Sequence, residues 1–167
     1  IDNIALRLIA LHQPMAADLR LLATVVKINS EIERIADLAV NMCESTHFIL
    51  AKPLVKPLID LPEMAEIAQK MVSESLKSFT GSDVALAQRV LEEDDRVDDL
   101  KDQIFRELLT YMISDPSTID RAISLILISR NIERIGDHAT NIAEDVIYMV
   151  QGRDVRHKTK EMEKHKY

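Results

Sequence analysis

A fourteen-residue segment rich in carboxylates occurs twice in this chain of 167 residues, one hundred residues apart. The copies are Glu-Ile-Glu-Arg-Ile-Ala-Asp-Leu-Ala-Val-Asn-Met-Cys-Glu at 31–44 and Asn-Ile-Glu-Arg-Ile-Gly-Asp-His-Ala-Thr-Asn-Ile-Ala-Glu at 131–144. The positions that are identical in both copies are, in the numbering of the first, Ile32, Glu33, Arg34, Ile35, Asp37, Ala39, Asn41 and Glu44. Packing alone requires only apolar side chains, so the repeated charged and amide residues indicate a further role. An internal repeat also predicts a fold that is built twice.

Each copy has two carboxylates four residues apart, with an amide one helical turn further along. Acids at this spacing share one face of a helix and repel each other by about 0.2 to 0.5 kcal/mol per pair, and neither copy has a basic residue four positions later. Clustered carboxylates beside an amide oxygen suit a hard cation. The candidate metal ligands are therefore Glu33, Asp37, Asn41, Glu133, Asp137 and Asn141. A solvated acidic face is the competing interpretation, and the spacing leaves both open.

A third pair of acids, Asp94 and Asp98, precedes the second copy. If the helices that carry Asp94 and Glu133 are neighbours, the two acid pairs face a shared groove. On a helix that turns about 100° per residue, the apolar residues of the second copy cluster opposite Glu133, at the four-three spacing of a bundle seam. We therefore expect the acidic stripe to face away from the core in both copies.

The elements that must position these acids are helices. The chain has only three glycines and no tryptophan, and 47% of its residues are hydrophobic and 29% charged, which is typical of an all-helical globular protein. Proline, glycine and capping signals predict five helices, at 1–11, 14–50, 62–80, 83–113 and 116–150. The longest connection is 51–62, and the short connections elsewhere predict antiparallel neighbours in up-and-down bundles.

Charge and composition exclude several classes of protein. A net charge of −7 argues against a general nucleic-acid binder, and no apolar run reaches the roughly 18 residues of a membrane span. Residues 152–167 reverse the balance, with six Lys and Arg against three Asp and Glu, and we interpret them as a solvated basic tail. The single cysteine, Cys43, is expected to be a small buried hydrophobe.

The sequence contains no recognisable catalytic arrangement, since it lacks a glycine-rich phosphate loop, a cysteine pair and a Ser/His/Asp set. The alternative of an iron-storage or redox bundle requires a ferritin-like Glu-x-x-His motif on two helices. Only Glu44 and His47 have that spacing, because Ile147 occupies the equivalent position in the second copy. His12 and His138 are expected at the surface. We therefore expect a protein that is not an enzyme.

In their order and spacing, the motifs of this chain resemble those of the PhoU family of bacterial phosphate-signalling regulators. The resemblance rests on Glu-Arg-Ile-x-Asp at 33–37 and 133–137, each in the second half of a long helix. It extends to Gln-Pro-x-Ala-x-Asp-Leu-Arg at 13–20, Glu-Asp-x-x-Val-Asp at 93–98 and Leu-Thr-Tyr-Met at 109–112. Several motifs occur in order at consistent distances, and together they cover nearly the whole chain.

This resemblance implies an all-α fold of two similar three-helix bundles that lie side by side. The first bundle is expected to be incomplete, because the family's first helix and half of its second have no counterpart before Ile1. The expected domains are the remainder of the first bundle at 1–52, the second bundle at 53–150 and the basic tail at 151–167. An acid pair facing Glu33 and Asp37 would then be missing, so the second copy is the more complete site.

The resemblance also implies a function. Members of the family are cytoplasmic, often homodimeric negative regulators of the phosphate-starvation (Pho) response. They link the ATPase subunit of the ABC phosphate transporter to the membrane sensor histidine kinase PhoR. Some members bind metal ions or clusters through acidic pairs at the spacing found here. The matching positions are Glu33, Asp37, Asp94, Asp98, Glu133 and Asp137, with Asn41 and Asn141 as weaker candidates.

We accordingly expect a cytoplasmic adaptor in phosphate homeostasis that lies near the membrane through its partners and has no span or nucleic-acid partner of its own. Its acidic stripes either bind iron, zinc, magnesium or manganese, or dock onto basic surfaces of partner proteins. A further interpretation treats the repeat as a homodimer interface.

Overall fold

The computed structural model describes residues 1–50 and 52–155, without the side chain of Phe48. All regular structure in these residues is helical, so the predicted all-α class is confirmed. The elements are α1 (Asp2–His12), α2 (Ala16–Leu50), α3 (Asp60–Gly81), α4 (Val84–Ser114), a 3-10 turn (Pro116–Thr118) and α5 (Ile119–Gln151). Most of the predicted basic tail, from residue 156 onward, lies outside the described residues.

Local capping explains the ends of α4 and α5. The Asp83 carboxylate accepts a hydrogen bond of 3.0 Å from the backbone N–H of Leu86 and begins α4. Asp115 accepts a bond of the same length from the N–H of Ser117 and begins the 3-10 turn that leads into α5. Gly152 adopts a φ of 68° and ends α5, a conformation that a residue without a Cβ adopts at little cost.

The turn between α1 and α2 differs slightly from the expectation. Gln13 adopts the left-handed conformation and ends α1, and its N–H bonds to the carbonyl of Ile9. Because the chain reverses over residues 13–15, Pro14 lies in the turn and α2 begins at Ala16. The reversal places α1 antiparallel to the first half of α2, which brings Asp2 next to Asn29.

The α5 helix is the centre of the molecule and packs against α2, α3 and α4. Its predicted seam consists of Ile128, Ile132, Ile135, Ala139, Ile142 and Val146, and all of these are buried except Ile135, which is partly buried. The equivalent seam of α2 is less covered, since Ile35 and Met42 are only partly buried and Ile32 is 42% exposed. The α3, α4 and α5 helices pack together as a three-helix bundle, and α1 packs along α2.

The proline-containing connection before α3 is fastened to the body of the protein. The Lys56 side chain is 4% exposed, lies 2.8 Å from Asp60 and also contacts the Glu107 carboxylate. Arg121 donates a hydrogen bond of 2.7 Å to the carbonyl of Pro53. Side chains from α3, α4 and α5 therefore hold this connection in place. No helix within the described residues is both long enough and apolar enough to cross a membrane.

Candidate functional site

The antiparallel packing of α4 against α5 brings two acid pairs together. Lys101 on α4 lies 3.0 Å from Glu133 and 3.2 Å from Asp98. One turn along α5, a Cβ added to Gly136 would lie 3.6 Å from Oδ1 of Asp94. The expected groove shared by the two helices is therefore confirmed. We call it the acidic groove, and its carboxylates are Asp94, Asp98, Glu133 and Asp137.

Negative charge accumulates in the acidic groove. Burial, together with repulsion from Asp137 and Asp98, raises the pKa of Asp94 to about 7. Burial and repulsion from Glu133 and Asp98 also raise the pKa of Asp137, although the nearby Lys101 acts in the opposite direction. Asp94 and Asp137 thus favour proton uptake, because burial and the neighbouring carboxylates penalise their charged forms. An incoming cation would relieve the same repulsion.

The cation that the groove already contains is Lys101, which the sequence analysis did not identify. Burial alone would lower the pKa of this lysine, but its hydrogen bonds to Glu133 and Asp98 raise it. It also lies 3.9 Å from Asp102. The local spacing Asp98-x-x-Lys101 was a usable signal, because residues three apart meet on a helix surface. The contact with Glu133 required knowledge of which helices are neighbours.

The donor chemistry of the acidic groove fits a hard cation, but the arrangement of its side chains does not form a ready shell. Carboxylate oxygens suit magnesium, manganese and iron. Among the described residues, however, no group of three or more His, Cys, Asp or Glu side chains is arranged to hold a metal ion. Lys101 is hydrogen-bonded to two of the four carboxylates. Metal binding by this groove stays a prediction.

The expected outward orientation holds for Asp137, which is exposed, but not for Glu133. Glu133 does not face open solvent, since only 21% of its side chain is exposed. The prediction from helical geometry assumed that α5 has a single buried face. In the structure α5 has helices on three sides, and α4 covers the side that carries Glu133. Asn141 lies further along and donates a hydrogen bond of 3.3 Å to Glu31 on α2. It therefore contacts the other repeat.

The first copy does have the expected open face. Glu33, Asp37 and Asn41 are all exposed. The amide of Asn29 donates to Glu33 and to Asp2, at 3.3 Å in each case. The structure thus places the first acid pair on the outer surface of α2, and it does not bring this pair to the acidic groove.

Polar contacts between the two repeats were also missed by the sequence analysis. Nδ1 of His138 lies 2.5 Å from Oε2 of Glu31, and the His138 side chain is only 13% exposed. The expectation that His138 is a surface residue was therefore wrong, because α2 packs over it. Lys27 pairs with Asp145 at 2.9 Å. A cavity of about 310 Å³ lies beside these pairs and is lined by Lys27, Ser30, Glu31, Asn141, Glu144 and Asp145.

The second half of α2 corrects another expectation. Cys43 is exposed, although a buried position was expected. It lies one helical turn after Val40, which is exposed as well, so this face of α2 is not part of the core. Glu44 and His47 are exposed as well. The one Glu-x-x-His motif of the iron-storage alternative thus lies on an outer surface, whereas a di-iron site needs inward-pointing ligands.

Comparison with known proteins gives a consistent family. The model of the PhoU domain family matches residues 1–46 and 61–146. The chain is similar to a phosphate-specific transport system accessory protein PhoU homolog of Aquifex aeolicus (strain VF5), with 43% identity over 157 residues that cover 94% of this chain and 71% of that protein. The homolog of Deinococcus radiodurans is 42% identical over 147 residues, which cover 88% of this chain and 69% of that protein.

Solved structures agree with this comparison. The crystal structure of PhoU from Pseudomonas aeruginosa superposes with a TM-score of 0.87 at 38% identity, over 91% of this chain and 73% of that one. The phosphate transport system regulatory protein PhoU from Streptococcus pneumoniae gives a TM-score of 0.81 at 22% identity, over 92% and 72% respectively, which is a likeness of fold. The fold class expected from the resemblance is thus confirmed.

Proposed function

The chain belongs to the PhoU family, and from that premise we propose that it is a non-enzymatic repressor of the phosphate-starvation response. In this proposal it is a cytoplasmic adaptor between the ATPase subunit of an ABC phosphate transporter and a PhoR-type sensor histidine kinase. It works as a homodimer and keeps the kinase in its repressing state while phosphate is plentiful. The relatives named above as accessory proteins of phosphate-specific transport support this assignment.

The acidic groove is the surface to which we assign the regulatory contact in this proposal. Two of its four carboxylates, Asp98 and Glu133, share Lys101. Repulsion within the groove adds to the effect of burial in raising the pKa of Asp94 to about 7. Such a surface attracts a cation, whether a metal ion or a basic side chain of a partner. The residues around it include no cysteine and no Ser/His/Asp set, so a regulatory contact is the use that its chemistry favours.

A metal ion in this groove would be held by the acids that α4 and α5 bring together, namely Asp94, Asp98, Glu133 and Asp137. When bound, it would supply positive charge that joins the two helices. Glu33, Asp37 and Asn41 form a weaker candidate, because they lie exposed on α2 without the second helix that the groove has. Asn141 is a weak candidate too, since its side chain is turned to α2, where its amide nitrogen donates to Glu31.

Replacing Glu133 and Asp137 together by Ala tests whether the acidic groove binds a metal ion and whether it binds the partner proteins. We expect metal content, measured by elemental analysis, to fall in this variant, and we expect capture of the kinase and the transporter ATPase in a pull-down to weaken. The matched control is the same double replacement of Glu33 and Asp37, which removes an equivalent pair from an exposed surface. Adding a chelator to the wild-type pull-down separates the roles of metal and carboxylates.

The outcomes distinguish the mechanisms. Unchanged metal content in the groove variant removes these residues as ligands. Weaker partner binding with unchanged metal supports direct docking of the acids on a basic surface. Unchanged capture of both partners contradicts the adaptor assignment for this groove. If iron-loaded protein oxidised Fe(II) with turnover, the iron-storage alternative would replace the regulatory one. If light scattering showed a changed mass for the groove variant, we would instead assign the acidic groove to a homodimer interface.

A further inference from the structure

Apolar side chains are exposed between α4 and α5, towards the turn that joins these two helices. A groove of about 300 Å³ opens there, with Phe105 of α4 and Ile126 and Arg130 of α5 among the residues that line it. From this groove, apolar residues continue along both helices to the turn, at the three- and four-residue spacings that keep side chains on one side of a helix. We call this surface the apolar face, and its residues are Phe105, Leu109, Ile113, Ile119, Ile123 and Ile126.

The apolar face is more open than single scattered hydrophobic residues would be. Ile113 is 82% exposed, and Phe105 and Ile123 are 45% exposed each. Contiguous apolar surface on a soluble protein marks a site of interaction, and an aromatic residue near its middle is typical of the centre of a protein interface. The face therefore indicates a protein partner.

Two charges of opposite sign flank the apolar face on α5. The side chains of Arg130 and Asp120 are exposed, and within residues 1–50 and 52–155 neither makes a hydrogen bond or an ion pair. They are about 15 Å apart along the helix and about 80° apart around it. A fitting partner offers an anion opposite Arg130 and a cation opposite Asp120, at the same separation. A second copy of this chain offers both.

The positions of these two charges suit a two-fold axis. Leu125 lies midway between them, so a two-fold axis that crosses α5 at its level brings Arg130 of each copy level with Asp120 of the other. Each ion pair then occurs twice, once on either side of the apolar centre. Because each copy has a net charge of −7, local pairing of this kind opposes the general repulsion between them.

The apolar row on α4 is centred on the same axis. Lys101 on α4 lies 3.0 Å from Glu133 on α5, and the two helices are antiparallel, so the level of the axis on α4 is close to Leu109. Phe105 lies four residues before Leu109 and Ile113 four residues after it. The same axis therefore brings each Phe105 level with the partner subunit's Ile113, and both helices are self-complementary about it.

Resting on the homodimer of the proposed function, we propose that two copies of this chain associate through the apolar face, about a two-fold axis at the level of Leu125. Arg130 of each copy pairs with the partner subunit's Asp120, and the apolar rows of α4 and α5 pack at the centre. The acidic groove continues away from this axis, since Asp137 lies about 18 Å beyond Leu125 along α5. Both acidic grooves of the dimer therefore stay open to other proteins.

Charge reversal tests the pairing, with sedimentation velocity over a concentration series as the measurement. We expect Arg130→Glu and Asp120→Arg each to raise the dissociation constant of the dimer about tenfold, because each places like charges opposite one another twice. The variant with both changes exchanges the two charges and should return to within about threefold of the wild type. Ile123→Lys removes apolar surface at the centre and should leave the protein monomeric. The matched control is Lys77→Glu, which reverses a charge at an exposed position on α3.

The outcomes separate this interface from the adaptor function, and circular dichroism confirms that each variant is folded. A wild-type dimer that Arg130→Glu and Ile123→Lys leave intact overturns the interface and places the dimer contact elsewhere. Weakening in both single charge variants without recovery in the double variant overturns the two-fold pairing. A wild type that is monomeric at every concentration overturns the proposal together with the homodimer, whereas the pull-down of kinase and transporter ATPase still decides the adaptor function. If that monomer lost the kinase on Ile123→Lys replacement, the face would belong to the kinase.

Discussion

Arg20, near the start of α2, donates a hydrogen bond of 3.1 Å from its Nε to the backbone carbonyl of Met149, near the end of α5. The other repeat makes the converse contact. Arg121, near the start of α5, donates to the carbonyl of Pro53, just beyond the end of α2. Each long helix therefore begins where the other ends, and an arginine closes each junction. Cationic donors at carbonyl groups near a helix C-terminus are favourable because they also complement the helix dipole.

The two arginine contacts should stabilise the protein to a similar degree. We expect Arg20→Met and Arg121→Met each to lower the free energy of unfolding by about 1 kcal/mol, the usual contribution of one such hydrogen bond. Their effects should add, because the two sites are far apart and share no partner. Urea unfolding followed by circular dichroism measures both.

Arg7→Met is the matched control, since Arg7 is exposed on α1. Hydrogen exchange sharpens the test, because only Arg20→Met should speed exchange at the C-terminal amides of α5. If Arg20→Met and the control unfold at the same urea concentration, the Arg20 junction does not contribute to stability.

Asp94 should make the protein less stable as the pH rises. Its pKa is about 7 in the folded protein, against an ordinary value of 3.8, so between these values the folded state binds a proton that the unfolded state has released. Its contribution to the free energy of unfolding therefore falls from about pH 4 to pH 7 and is constant above. We expect Asp94→Asn to flatten this fall and to be more stable than the wild type at pH 8, by roughly 1 to 2 kcal/mol after allowance for solvent screening.

Asp95→Asn is the control for this prediction, because Asp95 is the next residue and is exposed. It should keep most of the wild-type dependence of unfolding free energy on pH, because repulsion from Asp95 raises the pKa of Asp94 less than burial, Asp137 and Asp98 do. A wild-type slope in Asp94→Asn would show that burial and repulsion in the acidic groove do not penalise the charged form of Asp94.

Gly136 should tolerate a methyl group. It lies inside α5, and an added Cβ would be at ordinary contact distances of 3.6 to 3.7 Å from Asp94, Met71 and Val97. Since alanine is favoured over glycine in a helix interior by about 1 kcal/mol, we expect Gly136→Ala to raise the free energy of unfolding by about that amount. The first repeat already has Ala36 at the equivalent position, so Ala36→Gly should lower stability to a similar extent. Loss of stability in Gly136→Ala would mean that α4 and α5 cannot accommodate the group.

Lys56 should matter more for stability than an ordinary surface lysine. Its buried side chain contacts Asp60 and Glu107, and Lys56→Met would leave these two carboxylates facing each other without a cation. We expect a loss of about 2 kcal/mol in the free energy of unfolding, because breaking a buried ion pair leaves uncompensated charge. Lys77→Met should fall within about 0.5 kcal/mol of the wild type. A loss no greater than in this control would place the Lys56 ammonium in a solvent-like environment.

Local features of the fold were predictable from the sequence. The ends of α4 and α5 follow from Asp83 and Gly152, because a cap depends on residues within one helical turn. The meeting of Asp94 with Glu133 was predictable on the condition that α4 and α5 are neighbours. Contacts between distant segments were not predictable, because they depend on which faces pack together. Thus Glu31 and His138 meet across 107 positions, and the exposure of Cys43 depends on which face of α2 packs against the core.

The contacts between α2 and α5 have a consequence for the symmetry of the molecule. If two identical units met across a two-fold axis, every contact would occur twice. Here Lys27 pairs with Asp145, yet the positions one hundred residues away from them are Leu127 and Ser45. The two repeats thus share the same arrangement of helices, but they contribute different residues where α2 packs against α5. The two copies of the repeat are accordingly not interchangeable at this interface, because each supplies a different partner of the ion pair.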